Sequence, residues 1–266
     1  MTKIRVSVVQ MRVQMGDKRA NLAHAKDLIE RACLDTPDII LLPETFNVGF
    51  FPAQLAPLAD AMERGEGWTL LSNLAKKHEI NIVGGSVARL GPEGQILNTM
   101  YVLDRQGQEV ALYDKIHLFS PSGENKVFEA GNKPCCFELE EVLMASIICY
   151  DLRFTELVRG LALSGAQVLF VPAQWPYPRC EHWRTLLRAR AIENQLFVVA
   201  ANACGPMGKV VNCGHSAIID PWGQVLVEAG KEESLLNVDL DLTQVQAVRR
   251  RIAVYNDRRP EIYATL

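Results

Sequence analysis

The chain has 266 residues, of which 48% are hydrophobic and 22% charged, and a formal net charge of −3 at pH 7. These values are ordinary for a globular protein, and a chain of this length can bury a substantial core. The near-neutral balance excludes a general attraction to nucleic acid or to an anionic membrane. The sequence has no signal-peptide pattern and no apolar run of roughly 18 residues. We expect one domain over residues 1–266, in the cytoplasm.

Strand and helix patterns alternate along the whole chain. Alternating β-branched residues over 3–13 predict a strand, and apolar spacing over 17–33 predicts a helix. A nearly continuous apolar run over 38–44 is typical of a strand buried on both faces. The next stretch, 59–78, is predicted to be mainly helical with a break near Gly65 and Gly67. The remaining predicted elements are strands over 81–87, 99–104, 110–113 and 142–149, a helix over 156–163, a strand over 167–173, a helix over 181–194, and strands over 196–201, 215–219, 224–227 and 235–240.

This order of elements indicates a layered α/β fold with a mixed sheet. Eleven or twelve strands are too many for one ordinary open sheet, whereas two sheets packed face to face would hold them. The arginines at 249–251 and 258–259 make the C-terminal stretch locally basic. A solvated helix end or a subunit contact explains them better than nucleic-acid binding, because no recognition module accompanies them.

The seven cysteines are odd in number and form no C-x-x-C motif, so neither a disulfide framework nor a structural zinc site is expected. A cysteine in such a chain is by default a small buried hydrophobe. Cys149 differs because it ends a predicted buried strand and a helix-forming stretch follows closely. That junction exposes the thiol beside free backbone N–H groups, which favours a nucleophile.

Two further polar residues follow predicted strands. Glu44 ends the run at 38–44, where burial would raise the pKa of a carboxylate toward that of a general base. Lys115 follows the strand at 110–113, where its charge could face a developing oxyanion. Taken alone, Glu44 fits a surface position equally well, and Lys115 fits one better. A thiol of pKa near about 8.5 needs a base and a cation for activation, and ligands bind at strand carboxyl ends. We therefore predict one site containing Glu44, Lys115 and Cys149.

The same residues carry a family resemblance. Over nearly its whole length, the sequence resembles the nitrilase superfamily of carbon–nitrogen hydrolases. The family's catalytic glutamate, lysine and cysteine match Glu44, Lys115 and Cys149, and its second glutamate, in an E-x-x-x-F-x-x-G segment, matches Glu124. The resemblance implies a four-layer αββα sandwich with two mixed sheets, and chemistry that needs neither a metal nor an organic cofactor.

Within the superfamily, the Tyr150-Asp151 that follows Cys149 resembles the amidase branches, since nitrilases carry Trp-Glu there. The segments from Trp175 to Arg179 and over 182–195 look most similar to omega-amidases. That resemblance implies release of ammonia from an omega-amide of a 2-oxo acid, such as 2-oxoglutaramate or 2-oxosuccinamate, through an acyl-enzyme. We expect the Tyr150 N–H to help Lys115 to stabilise the oxyanion. Trp175 and Arg179 follow the predicted strand at 167–173, a position suited to substrate specificity; Trp175 fits a pocket wall and plain core equally well, and Arg179 could bind the 2-oxo acid carboxylate.

Several alternatives stay open in the sequence. The substrate could instead be deaminated glutathione or another small aliphatic amide, or the chain could be a non-catalytic scaffold. His117 is expected to pack or hydrogen-bond rather than to act as a base, and Asp151 and Arg153 are expected to brace the Cys149 junction. The resemblance implies a homodimer or a larger assembly, with residues 242–266 contacting a neighbouring subunit.

Overall fold

The computed structural model describes residues 3–50 and 52–263. The strands are β1 (Lys3–Gln10), β2 (Ile39–Leu41), β3 (Asn81–Val83), β4 (Val87–Leu90), β5 (Ile96–Leu103), β6 (Glu109–Asp114), β7 (Cys135–Leu139), β8 (Val142–Ser146), β9 (Val168–Ala173), β10 (Phe197–Asn202), β11 (Cys204–Met207), β12 (Val210–Cys213), β13 (Ala217–Ile219), β14 (Val225–Glu228) and β15 (Ser234–Asp241). The α-helices are α1 (Lys18–Ala32), α2 (Glu66–His78), α3 (Thr155–Leu163), α4 (Cys180–Asn194), α5 (Thr243–Arg251) and α6 (Pro260–Tyr263).

Two mixed sheets contain most of the strands. The seven-stranded sheet has the order β15-β1-β2-β3-β5-β4, with β6 paired to β5, and the six-stranded sheet has the order β14-β13-β10-β9-β8-β7. In the first sheet β1, β2 and β3 run parallel, and in the second β8, β9 and β10 do so. The remaining pairs are antiparallel. A separate hairpin is formed by β11 and β12.

The sheets pack face to face between two layers of helices. Alternate residues of β1 show this division, since Val6 and Val8 join the core shared with the second sheet, whereas Val9 joins the core beneath α1 and α2. On the other side, Trp183 and Leu187 of α4 join the core of the second sheet. The predicted four-layer αββα sandwich with two mixed sheets is confirmed.

The predicted helix over 59–78 is wrong before its expected break near Gly65, because α2 begins only at Glu66. Asp60 accepts a hydrogen bond from Gly67 N at 2.7 Å, and a Cβ atom on Gly65 would lie 2.5 Å from Asp60 Cβ. The glycines therefore fit a turn around a buried carboxylate, and the helix starts after that turn.

The described residues form fifteen strands, more than the eleven or twelve expected. The sequence patterns do not predict β4, β7, β11 and β12. The hairpin strand β11 contains Gly205 and Pro206, residue types that normally indicate a turn. The predicted strand over 81–87 ends early, as β3 at Val83, because the chain turns at Gly85, whose φ is +58°, and β4 begins only at Val87. A Cβ atom on Gly85 would lie 2.0 Å from Pro43 O, so only glycine permits this close approach.

Candidate active site

Four buried polar side chains meet beside the strand ends of the two sheets. Glu44 lies just beyond β2, Lys115 directly follows β6, and Glu124 begins a short 3₁₀ helix. All three are fully buried, and Cys149 is 7% exposed. The structure therefore brings together the two glutamates, the lysine and the cysteine singled out in the sequence.

The Lys115 ammonium lies between two carboxylates. Its Nζ atom donates to Glu44 Oε1 at 2.7 Å and to both oxygens of Glu124 at 2.9 Å. Burial alone lowers the pKa of Lys115, but the charges of Glu44 and Glu124 outweigh burial and raise it. Burial raises the pKa of Glu124 against the opposing charge of Lys115. Lys115 is thus a fixed cation held by two carboxylates.

Two amide side chains, which the sequence patterns do not single out, hold Glu44 in place. Asn98 Nδ2 donates to Glu44 Oε1 at 2.9 Å, and the backbone N–H of Gln174 donates to Glu44 Oε2 at 2.9 Å. Gln174 Nε2 also donates to Glu44 O at 2.7 Å and to Thr45 Oγ1 at 2.8 Å. Gln174 directly follows the buried strand β9, so it has the same feature that singled out Glu44, a polar residue directly after a buried strand. Asn98 lies inside β5 and carried no such signal.

The backbone of Cys149 lies in the left-handed region, with φ +47°. The strand β8 ends earlier than predicted, at Ser146, and a 3₁₀ helix over Cys149–Arg153 lies between it and the predicted helix, α3. Residues at the start of such a helix have backbone N–H groups without helical partners. Burial and then the charge of Glu44 raise the pKa of Cys149 well above its ordinary range, whereas Lys115 opposes this shift. The resting thiol is therefore protonated at neutral pH.

Asp151 braces the Cys149 junction, as expected. Its fully buried carboxylate accepts hydrogen bonds from Tyr113 OH at 2.7 Å and from Ile148 N at 2.9 Å. It also accepts from the backbone N–H of His117 at 2.8 Å, and His117 Nδ1 lies at the same distance. The His117 ring stacks on Phe154 with centroids 3.5 Å apart. His117 therefore packs and hydrogen-bonds in the structure.

A cavity of about 720 Å³ leads to Cys149. Trp175 lies in its wall, where the indole N–H donates to Arg179 O at 2.8 Å. The Arg179 guanidinium lies over the Phe119 ring at 5.2 Å, and the Phe119 ring contacts Tyr150 edge-on. The structure therefore brings all three sequence-predicted binding residues to this cavity. Its described lining residues are Met15, Phe50, Pro52, Ala53, Phe119, Ser122, Cys149, Tyr150, Arg153, Gln174, Trp175, Pro176, Arg179, Met207, Gly208, Lys209, Val210 and Asn212.

Arg153 also lines this cavity. Its guanidinium contacts His182 Nδ1 at 3.1 Å and lies over the Trp175 ring at 4.9 Å. The expected bracing role of Arg153 thus takes the form of contacts with the cavity wall rather than with the Cys149 backbone. The described residues contain no group of three His, Cys, Asp or Glu side chains placed to bind a metal ion.

The family follows from comparison with known proteins. The carbon-nitrogen hydrolase model matches residues 5–250. The chain belongs to the carbon–nitrogen hydrolase family. It is accordingly an enzyme that hydrolyses carbon–nitrogen bonds other than peptide bonds. Over residues 3–50 and 52–263, none of the helices of this hydrolase has the length and apolar character needed to cross a membrane.

Three similar proteins illustrate the relationship of this hydrolase to amidases. The 2-oxoglutaramate amidase of Bacillus subtilis (strain 168) is 41% identical over 97% of this chain and 98% of the relative. The omega-amidase NIT2 of Mus musculus is 33% identical over 99% and 98% of the two chains. A solved amidase structure from Nesterenkonia sp. AN1 is 31% identical, covers 98% and 99% of the two chains, and has a TM-score of 0.86. That structure is of a glutamate-to-glutamine variant with acrylamide added at the active site cysteine.

Proposed function

We propose that this hydrolase releases ammonia from an omega-amide of a 2-oxo acid, such as 2-oxoglutaramate or 2-oxosuccinamate. The observation that carries the proposal is the charge of the cavity. All charged residues among its described lining residues are cations, namely Arg153, Arg179 and Lys209. Such a cavity attracts a substrate with a carboxylate at the end opposite the amide. The names of the similar amidases support the same substrate class.

In the proposed acylation step, Glu44 takes the proton of the Cys149 thiol while the sulfur attacks the amide carbonyl. The raised pKa of Cys149 requires such a base, because little thiolate exists at neutral pH. Lys115 and the backbone N–H of Tyr150 stabilise the oxyanion of the tetrahedral intermediate. Protonated Glu44 then gives its proton to the departing ammonia, leaving a thioester on Cys149.

In the proposed deacylation step, Glu44 removes a proton from a water molecule that attacks the thioester. The thiolate of Cys149 leaves and recovers its proton from Glu44, and the acid product departs. Glu124 keeps Lys115 charged and oriented, which the two 2.9 Å contacts between them support. We infer no role for a metal or an organic cofactor in these steps.

For the substrate, we propose that Trp175 forms one wall of the acyl site and that Arg179 binds the carboxylate. Arg179 suits this role because its guanidinium lies over Phe119 and its backbone carbonyl accepts from Trp175. A guanidinium oriented by such contacts loses little freedom when it binds a carboxylate in a bidentate manner.

A second candidate substrate is a larger omega-amide such as deaminated glutathione. The cavity volume of about 720 Å³ favours it, since a five-carbon oxo acid fills only part of that space. The far end of this substrate also carries carboxylates, so the cationic cavity does not distinguish the two candidates.

Release of the amine product, ammonia from the primary amides and Cys-Gly from deaminated glutathione, tests the proposed function. The panel contains 2-oxoglutaramate, 2-oxosuccinamate, deaminated glutathione and a neutral aliphatic amide, with Cys149→Ala as the control. We expect the carboxylate-bearing amides to be the best substrates, Cys149→Ala to be inactive, and an acyl adduct on Cys149 to be detectable by mass spectrometry. Failure of the wild type to hydrolyse any of the three carboxylate-bearing amides would reject the proposal.

We further propose that the enzyme is a cytoplasmic homodimer or larger homo-oligomer whose chain forms one domain over residues 1–266. All seven cysteines are unpaired, which supports a reducing compartment. Helix α5 packs on its own domain through Val245 and Val248, whereas Ile262 and Tyr263 near the end of the chain are about half exposed. These exposed side chains support an intersubunit role for residues 242–266. Light scattering of the full chain and of a variant ending at residue 256 tests this assembly.

A further inference from the structure

The β11–β12 hairpin is hydrogen-bonded to the segment that follows β9. Cys213 N donates to Trp175 O at 2.9 Å, and Tyr177 N donates to Val211 O at 3.0 Å. These bonds define an antiparallel register, in which each step forward along the segment after β9 corresponds to one step backward along β12. The hairpin is thereby attached to the wall of the catalytic cavity.

The hairpin contributes a second cation to this wall. Arg179 immediately precedes α4, and Lys209 lies in the turn between β11 and β12. Both line the cavity that leads to Cys149.

The surroundings of this pair favour an anion. The cavity has no acidic residue among its described lining residues, so no carboxylate of the cavity wall neutralises the two cations. Arg179 is held over the Phe119 ring, whereas Lys209 is exposed on a flexible aliphatic stem. A guanidinium of set orientation and an adaptable ammonium can bind different oxygens of one carboxylate, and partial exclusion of water strengthens both interactions.

We propose that Lys209, at the tip of the β11–β12 hairpin, binds the substrate carboxylate together with Arg179 and so determines specificity for anionic amides. This inference rests on the proposed function, since it requires an amide that carries a carboxylate. It assigns to the hairpin, which belongs to neither main sheet, the recognition of the end of the substrate remote from Cys149.

A double-mutant cycle tests this proposal with two matched substrates. These are 2-oxoglutaramate and 4-oxopentanamide, in which a methyl group replaces the carboxylate. We expect Lys209→Met and Arg179→Met each to raise KM for 2-oxoglutaramate about 5- to 10-fold, with kcat changed less than about 2-fold. KM for 4-oxopentanamide should change less than about 2-fold. In the double variant, the fold-increase in KM for 2-oxoglutaramate should be smaller than the product of the two single-variant increases, because both cations bind one carboxylate.

Two further variants serve as controls. Lys209→Arg retains the positive charge and should keep KM for 2-oxoglutaramate within about 2-fold of the wild type. Lys133→Met removes an exposed lysine that does not line the cavity and should leave KM unchanged. If Lys209→Met raised KM equally for both substrates, or for neither, the proposed role of Lys209 would be overturned and the proposed function would stand. If the wild type hydrolysed neither 2-oxoglutaramate nor any other carboxylate-bearing amide, the proposed function would fail and this inference with it.

Discussion

At the scale of single residues, the arrangement of charges explains why this site needs both glutamates. A lone Lys115 ammonium in a fully buried position would lose its hydration without compensation, which costs several kcal/mol. Two carboxylates within 2.9 Å replace that hydration and leave one net negative charge near Cys149. That remaining charge opposes ionisation of the thiol, so the base and the nucleophile share a single proton.

Substitution of Glu44 by glutamine separates the acidity of the thiol from its catalytic use. We expect Glu44→Gln to lower kcat at least about 100-fold, because the proposed base is lost. The pKa of Cys149 should fall at the same time, since burial and Lys115 remain while the raising charge of Glu44 is removed. Iodoacetamide should therefore alkylate Cys149 faster in the variant than in the wild type near pH 8, as followed by intact mass. Slower alkylation in the variant would contradict this explanation.

The sequence predicted Glu44, Lys115 and Cys149 because each ends or follows a predicted strand, and ligands bind at the carboxyl ends of strands. Glu124 follows no predicted strand and was identified only through the family resemblance. Gln174 obeys the same rule, but an uncharged amide gives no chemical reason to select it. Asn98 contacts Glu44 from inside β5, a strand of the same sheet as β2, and a position inside a strand gives no signal of a functional role.

At the scale of elements, the segment after Glu124 fixes the position of Lys115. Gly131 N donates to Lys115 O at 2.8 Å, and a Cβ atom on Gly131 would lie 2.0 Å from Asp114 O. The two backbones therefore touch at the end of β6, immediately before the lysine. This contact gives a physical reason for the glycine in the E-x-x-x-F-x-x-G segment, because any side chain would push Lys115 away from its carboxylates.

We expect Gly131→Ala to lower kcat/KM at least about 10-fold, since small displacements of catalytic groups are costly. The melting temperature should fall as well, because the backbone at Asp114 must move. Gly160→Ala is the matched control, as Gly160 lies within α3 and no atom lies within 4 Å of its added Cβ. That change should leave kcat/KM unaltered and stabilise the fold by about 1 kcal/mol. Wild-type kcat/KM in Gly131→Ala, measured by ammonia release, would refute this account.

Also at the scale of elements, the sequence patterns failed to predict strands whose conformation depends on the strand that they pair with. Alternating or continuous apolar runs identified the central strands of both sheets, since burial there is imposed by the layers on either side. The hairpin strand β11 carries Gly205 and Pro206, and its pairing with β12 decides its conformation. The residues that line the cavity from this hairpin could not be found from spacing for that reason.

At the scale of the whole molecule, the layered core buries several thiols that no part of the proposed mechanism uses. Cys135 in β7 and Cys204 in β11 lie on different sheets and are both buried. Burial raises the pKa of each to about 12. In the unfolded chain their pKa would be about 8.5. The native state therefore binds their protons more tightly than the unfolded state does.

The free energy of unfolding should consequently fall as the pH rises from about 8.5 toward 12. Over that range the unfolded chain loses these protons while the native protein retains them, so each thiol contributes a decrease of up to about 1.4 kcal/mol per pH unit. Urea unfolding with a reductant at pH 8, 9 and 10 measures this slope. Cys135→Ala and Cys204→Ala create cavities that destabilise by a constant amount, but each also removes one thiol from the slope. The difference in free energy of unfolding between the wild type and either variant should therefore narrow as the pH rises. A constant difference would show that the thiol has the same pKa in the native and the unfolded state.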